Sequence, residues 1–290
     1  MFLDFIEIGT SDFGTEIEIN DNKIGISVEA IKYYIDKLPN KTGCIKINNG
    51  ISNFNGEITI NYISIEDIQK YKLPNWVRGC NSVNNYHPTV TKLLLDKDIQ
   101  IKDIAISYTV PCKTLLFLLT EYDVLGFYLL KIDTEGHDCI ILEHFFKNNK
   151  SNNLLPHKII FESNILTNKK YIDNIIEISQ TIGYDLISSG TDTILKLNLN
   201  KIHKMFIFST EIVNYYIEDN PKEYENLDAS ANRWYDPINL SHKDRLNEAK
   251  KYCIKYKYSG ITYQYNRYEV RNGNYINYCT DRKLLSWILL

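Results

Sequence analysis

The sequence predicts an α/β fold, a mostly parallel sheet closed by an antiparallel terminal hairpin, followed by a small α+β module. Three observations predict it. Short apolar runs alternate with segments of helical period up to about residue 203, the rhythm of strand, helix, strand that builds a parallel sheet. Two of the apolar runs end in acids, small residues and glycine, Glu7-Ile8-Gly9-Thr10-Ser11 and Asp133-Thr134-Glu135-Gly136-His137-Asp138. Open α/β sheets hold small molecules just beyond the carboxyl ends of their strands, so both exits are candidate sites. Past residue 203 the alternation stops, and a polar stretch with Pro221 and Pro237 leads into a tyrosine-rich end. The expected division is a catalytic domain over 1–202, a linker over 203–240 and a module over 241–290.

Taken in order, Phe2 to Ile8 is a short strand, and the turn from Gly9 to Thr15 leads into a helical turn near 13–19. Ile24 to Val28 is a second strand, ending at Glu29. Ile31, Tyr34, Ile35 and Leu38 then fall at i, i+3, i+4 and i+7 before Pro39, which marks an amphipathic helix with a defined end. Cys44 to Ile47 is a third strand, Asn48-Asn49-Gly50 a turn, and Glu57 to Ile63 a strand after Asn55-Gly56. Residues 64–103 are mixed and read as an insertion over the sheet. Ile104 to Val110 is extended, Lys113 to Tyr122 helical, and Phe127 to Ile132 a strand that feeds the acid-rich exit. A helix over Cys139 to Phe146 follows, then a strand from Lys158 to Phe161 ending at Glu162. The next helix, Tyr171 to Ile182, buries Ile172, Ile175, Ile176, Ser179 and Ile182 on one face and stops at Gly183. Strands at 184–188 and 193–199 form the hairpin. In the last unit Ser241 and Asp244 make a capping-box-like start to a helix with Leu246, Ala249, Cys253 and Tyr256 on one stripe. Ser259-Gly260 and Asn272-Gly273 punctuate strands at 261–265, 268–271 and 275–278.

The 290 residues suffice for one full core and a small second unit. A formal charge of −3 gives no general field for nucleic acid, so DNA is not an expected partner. The six cysteines show no zinc-type spacing and read as reduced thiols. Acids stand where a signal peptide would have a basic start, and the apolar stretch 115–130 is broken by Glu121 and Asp123. A cytoplasmic protein with no membrane partner is expected, in the host cytoplasm if it is viral. The oligomeric state is left open.

The first strand exit discriminates between cofactors. A dinucleotide turn wants glycine at its first, third and sixth positions, and this chain has Gly9, Ser11 and Gly14. The glycine that would admit a pyrophosphate is missing. S-adenosyl-L-methionine (SAM) has no pyrophosphate and carries a sulfonium and an ammonium, which an acid such as Glu7 suits. Glu29, at the end of the second strand, is placed to accept hydrogen bonds from ribose hydroxyls.

Several segments together resemble the FkbM family of SAM-dependent methyltransferases, in consistent order over residues 3–198. Ile6-Glu7-Ile8-Gly9-Thr10 resembles the family's Asp-x-Gly-Ala-Asn turn, and Val28-Glu29-Ala30 its Phe-Glu-Pro. Asn49-Gly50-Ile51-Ser52 with Gly56-Glu57-Ile58 resembles its adenine-side segment, and Arg78-Gly79-Cys80-Asn81-Ser82 its Gly-Cys-Ser-Ser stretch. Leu130 to Asp138 resembles Leu-Lys-Ile-Asp-x-Glu-Gly-x-Glu, its most specific motif, while Gly183-Tyr184 and Asp192-Thr193-Ile194-Leu195 fit its closing hairpin. The resemblance implies a Rossmann-like class I methyltransferase sheet that moves a methyl group to a hydroxyl of a sugar, glycan or related small metabolite. The expected cofactor residues are Glu7, Gly9, Thr10, Ser11, Glu29, Ala30, Gly50, Ile51 and Asp133.

Methyl transfer needs an aligned acceptor oxygen and a base for its proton. Asp133 and Glu135 alternate onto one side of an extended exit, and His137 has a pKa suited to a base, so these three are the catalytic candidates. Ser82 and His87 in the insertion, and Glu162 at the next strand end, are candidates for a small-molecule or glycan acceptor. No metal is expected. Two alternatives are an RNA cap methyltransferase, which would need a Lys-Asp-Lys-Glu tetrad, and a non-catalytic protein that presents its tyrosine-rich end to glycans. The eight tyrosines after residue 240 are more simply the core of a small unit.

Overall fold

The computed structural model describes the chain except residues 12–13, 20–21, 84–85, 203–207, 210, 219–233, 235 and 280–283. Asp12 and Phe13 of the first turn, Asn84 and Asn85 of the insertion, and Pro221 with most of the expected linker therefore lie outside the described residues.

The elements run β1 (Phe2–Ile8), α1 (Glu16–Ile19), β2 (Gly25–Glu29), α2 (Lys32–Lys37), β3 (Cys44–Asn48), β4 (Gly50–Ser52) and β5 (Gly56–Ile63). The insertion holds α3 (Ile65–Lys70), a 3-10 turn (Asn75–Gly79), α4 (Pro88–Leu95) and α5 (Ile101–Ile104). Then come β6 (Ala105–Thr114), α6 (Leu115–Glu121), β7 (Gly126–Ile132), α7 (Asp138–Asn148), β8 (Lys158–Glu162), α8 (Lys169–Ile182), β9 (Tyr184–Ser188) and β10 (Asp192–Leu197). The last unit comprises β11 (Ile212–Val213), β12 (Tyr215–Ile217), α9 (His242–Tyr256), β13 (Gly260–Gln264), β14 (Arg267–Arg271), β15 (Ile276–Tyr278) and β16 (Leu285–Ile288).

Seven strands form the central sheet in the order β3-β2-β1-β7-β8-β10-β9. The first five are parallel, and β10 runs antiparallel between β8 and β9, as the sequence pattern predicts. Chain order runs outward from β1 to β3 and resumes at β7 on the other side of β1, so the strand order reverses between β1 and β7. A crevice opens at such a reversal, outside the carboxyl ends of the strands. Leu3, Ile6, Phe127, Leu130, Ile159 and Phe161 are fully buried in these strands, the near-continuous apolar runs that a sheet covered on both faces requires.

Two expectations change. The Asn48-Asn49-Gly50 turn is brief, because Gly50 already starts β4, and the strand at 56–63 leaves the central sheet. Instead β4, β6 and β5 form a separate three-stranded sheet beside the crevice. The insertion has a core of its own, Ile63, Ile68, Leu73, Val77, Val90, Leu94 and Ile104.

Part of the segment expected as linker is strand. β11 and β12 pair with β16 and β15 in two separate sheets, and α9, started by the Ser241 hydroxyl accepting from the Asp244 amide, packs on the four-stranded one, β11-β16-β13-β14. The unit docks at the amino ends of the central strands. Tyr215, fully buried, donates to Asp4 Oδ1 at 2.8 Å and packs edge-on or tilted against the rings of Phe2, Tyr128 and Tyr278. Tyr275 donates to Asp185 Oδ2 at 2.6 Å. The rings of Tyr263, Tyr268 and Trp287 pack on one another within the unit.

Candidate active site

The two strand exits are brought into contact. Gly9 takes φ +79°, and a Cβ there would lie 1.9 Å from the carbonyl oxygen of Asp133, so only glycine lets the β1 turn pass this close to the end of β7. The Gly9 amide donates to Val28 O and the Asp133 amide to Ile8 O, which stitches β2, β1 and the β7 exit together. Beyond them lies a cleft lined among others by Gly9, Ser11, Glu29, Ala30, Asn49, Gly50, Ile51 and Asp133.

Glu29 is 5 % exposed at the end of β2. Its carboxylate accepts the Ser11 amide at 2.9 Å and the Ile31 amide at 2.8 Å, one on each oxygen. Burial nevertheless raises its pKa to about 7, with Asp133 adding to the effect and the two amides opposing it. Each oxygen keeps a further lone pair for a ligand hydroxyl. On the adjoining walls the Oδ1 atoms of Asn49 and Asn81 are buried with no hydrogen-bond partner. These are acceptors left for a ligand's N–H or O–H, since a buried polar atom without a partner is costly. Apolar contact comes from Ile8, Val28, Ile51, Ile58, Ile60 and Val83. A nucleoside with an amino and a hydroxylated end fits this set, and so the residues present fit SAM.

Beside the cleft stands a carboxylate cluster. Asp133, Glu135 and Glu162 bring oxygens within 4.8 Å of one another, a spacing that protons or a divalent cation can bridge. Burial raises all three: Asp133, opposed by Lys131; Glu135, to about 8, helped by Asp133 and Asp138; and Glu162, to about 9, helped by Glu135 and Asp133. Glu135 sits at φ +53°, a strained position for a non-glycine residue, and its Oε2, like that of Glu162, is buried without a hydrogen bond. The geometry is held from behind by Asp138. Its fully buried carboxylate accepts the Thr134 hydroxyl at 2.6 Å and the amides of Thr134 and Glu162, tying the β7 exit to the end of β8.

His87 faces this cluster from the insertion, with Nε2 3.9 Å from Glu135 Oε2. Its Nδ1 accepts the Thr89 amide as the cap of α4, so in the neutral ring the proton sits on Nε2, toward Glu135. Burial lowers its pKa and keeps the ring neutral. Ser82 is buried beside the cleft walls and held through its backbone, pairing with Asn61. Thr10 is buried too, its hydroxyl turned to Ser11 O.

Thr10, among the expected cofactor residues, does not line the cleft, and Glu7 and His137 are held away from it by partners within the protein. Glu7 is 1 % exposed and lies opposite Lys131 in the β1–β7 register; its carboxylate accepts Lys131 Nζ at 2.8 Å and the Glu16 amide at 3.0 Å. The acid suited to a ligand ammonium is thus used inside the protein. Lys131 also donates to Gly14 O. His137 is buried at the start of α7 with Nε2 2.9 Å from the Ser52 hydroxyl, and burial lowers its pKa to about 4, so it is a neutral tie to β4 and is unsuited to act as a base. Conversely, Asn49 and Asn81 were not singled out by sequence, although both stand inside the quoted segments Asn49-Gly50-Ile51-Ser52 and Arg78-Gly79-Cys80-Asn81-Ser82.

Among the described residues, no helix is long and apolar enough to cross a membrane. The family model described as the methyltransferase FkbM domain matches residues 8–198, well over half of the chain. No curated protein and no solved structure matches it.

Proposed function

Because the chain belongs to the FkbM methyltransferase family, with the family's Rossmann-like α/β sheet, we propose that it uses SAM to methylate a hydroxyl group of a sugar, glycan or related small metabolite. The observation that carries this reading is the cleft at the strand-order reversal, where Glu29 and two partnerless asparagine oxygens lie beside Asp133. Glu29 takes the ribose hydroxyls. Asn49, on the side that the family resemblance gives to adenine, and Asn81 accept from the remaining N–H or O–H donors. Bound there, SAM supplies a methyl group on a positively charged sulfur that is already an excellent leaving group.

The protein's part is alignment and proton removal. Asp133 meets the acceptor hydroxyl at the edge of the cleft. Glu135, made basic by burial and neighbouring carboxylates, receives its proton, with Glu162 beside it to share the charge. His87 turns its Nε2–H toward Glu135. The cap methyltransferase reading is weakened because Lys131, which its tetrad would need, is engaged by Glu7 and Gly14. The glycan-presenting reading is weakened because tyrosines of the last unit, Tyr263 and Tyr268 among them, pack on other aromatic side chains.

Calorimetry with SAM tests the cofactor, and methyl-labelled SAM offered with a panel of hydroxylated acceptors, read by mass spectrometry, tests the transfer. Asp133→Ala is expected to abolish transfer and leave SAM affinity within about tenfold, the separation expected of a group that acts on the acceptor. Absence of SAM binding at millimolar concentration would remove the proposal.

A further inference from the structure

Resting on that reading, we infer that the acceptor is an uncharged sugar ring seated on Trp76, with hydroxyls taken by Glu135 and Glu162, and that acceptors bearing phosphate are rejected. Two independent observations carry this.

The first is the sign of the charge around the acceptor. The charges acting on Glu135 are those of Asp133 and Asp138, and those acting on Glu162 are Glu135, Asp133, Asp138 and Asp192, all acidic. Lys131, the cation acting on Asp133, is already bonded to Glu7 and to the Gly14 carbonyl. A sugar phosphate, a nucleotide sugar or capped RNA would bring further negative charge to a point of transfer surrounded by Asp133, Asp138 and Asp192, and would keep Glu135 and Glu162 protonated when one of them must take the acceptor's proton. A neutral polyol has the opposite fit. Its hydroxyls both donate and accept, and the Oε2 atoms of Glu135 and Glu162 are buried with no hydrogen-bond partner of their own.

The second observation is an exposed aromatic side chain in the insertion, next to the segment that lines the cleft. Trp76 is 42 % exposed, which leaves much of its indole open to a ligand. It lies in the short 3-10 turn Asn75–Gly79, anchored by the buried Val77, and the residues that follow, Gly79, Asn81 and Val83, line the cleft. Its ring centre is 6.4 Å from that of His87, whose Nε2 is in turn 3.9 Å from Glu135. An exposed indole next to His87, with the carboxyl cluster on the other side of that ring, matches the two sides of a sugar ring, one presenting C–H groups and the other its hydroxyls.

In the transfer the acceptor C–OH bond stays intact. The O–H bond breaks as the new O–CH3 bond forms and the S–CH3 bond breaks; the proton passes to the carboxylates, and the sulfonium becomes a neutral thioether.

The test compares neutral glycosides with the corresponding sugar phosphates and nucleotide sugars and with an amino sugar, at saturating SAM whose binding is measured separately by calorimetry. Neutral glycosides are expected to be methylated on oxygen, and phosphate-bearing ones to show kcat/KM lower by roughly a hundredfold or more. Trp76→Ala is expected to raise the glycoside KM about tenfold with kcat changed less than about twofold, Trp76→Phe recovering part of the loss, and SAM affinity of both unchanged. Equal or better use of phosphate-bearing acceptors, with or without added Mg2+, would overturn the inference. So would methylation of the amino sugar on nitrogen, an unchanged KM in Trp76→Ala, or no transfer to any sugar while SAM still binds. Failure of SAM to bind would instead strike the underlying methyltransferase reading.

Discussion

Glu29→Gln separates the structural and ligand-binding parts of the β2 carboxylate through its pH dependence. A buried carboxyl held at about 7 in place of the usual 4.5 carries a penalty on its ionised form of about 3 kcal/mol. The sign follows from proton binding. Between these two values the folded state holds a proton that the unfolded chain has lost, so the wild-type protein without ligand loses stability through Glu29 as pH rises across that window. Glutamine removes the charge but turns an NH2 toward one of the two amides, Ser11 or Ile31, that now donate to Glu29. Leaving one of these donors unsatisfied costs about 1–3 kcal/mol at every pH. The variant is therefore expected to be less stable than wild type near about pH 5 and nearly equal to it near about pH 8, where loss of the buried charge offsets the lost bond. For SAM the balance is one-sided. Losing one charge-assisted acceptor for a ribose hydroxyl, about 1.5–3 kcal/mol, weakens binding roughly ten- to a hundredfold above neutrality. Wild-type affinity should fall as pH drops below about 7, where Glu29 takes up its proton, and the variant should lack that dependence. Thermal unfolding across this range and calorimetry with SAM at its two ends read both effects. An unchanged SAM affinity in the variant at alkaline pH would refute the assignment of Glu29 to the ribose.

Three further outcomes are expected. Gly9→Ala puts a methyl group 1.9 Å from Asp133 O at φ +79°, and should lower stability by about 3 kcal/mol or prevent folding, as read by denaturant unfolding. Glu135→Gln should reduce kcat by roughly 10²–10⁴ and erase the rise of kcat/KM with pH that ionisation of Glu135 near 8 gives the wild type, a carboxylate being a base only after it loses its proton. Lys131→Met leaves the Glu7 carboxylate, 1 % exposed, without its cation, and should cost about 3 kcal/mol in urea unfolding while retaining SAM binding.

The parallel core was legible because its strands are covered on both faces and so read as apolar runs, and because Ser241 and Gly183 mark helix ends with backbone chemistry that acts locally. The β7 exit was legible for the same reason: Asp133 and Glu135 follow directly from the end of an apolar strand. What failed depended on register and on distant partners. Glu7 looks like a cofactor acid until β1 and β7 are aligned, when Lys131 falls directly opposite it. His137 looks like a base until β4, a strand hidden after a turn-like Asn-Gly, brings Ser52 to its ring from 85 residues away in sequence. The second sheet itself was missed because β5 has the alternating pattern of any half-covered strand, which does not say which neighbour it joins. Asn49 and Asn81 carry no signal as residue types; only the absence of a partner inside a cleft marks them.

The docking of Tyr215 against Asp4 has a consequence for how this chain can be dissected. The C-terminal unit covers the end of the sheet remote from the crevice, where Ile212, Tyr215, Ile217, Ile276 and Ile288 continue the same apolar interior as Leu3 and Phe127. A strand spans about 3.3 Å per residue, so the length of β1 keeps this floor well away from the reacting methyl group. A chain cut after residue 202 would lose a wall of its own core, and its inactivity would report on collapse, with nothing learned about chemistry. Substitutions at the floor that preserve the fold, Tyr215→Phe foremost, are the way to ask what the unit contributes, because they disturb one end of the sheet while leaving the other to be assayed.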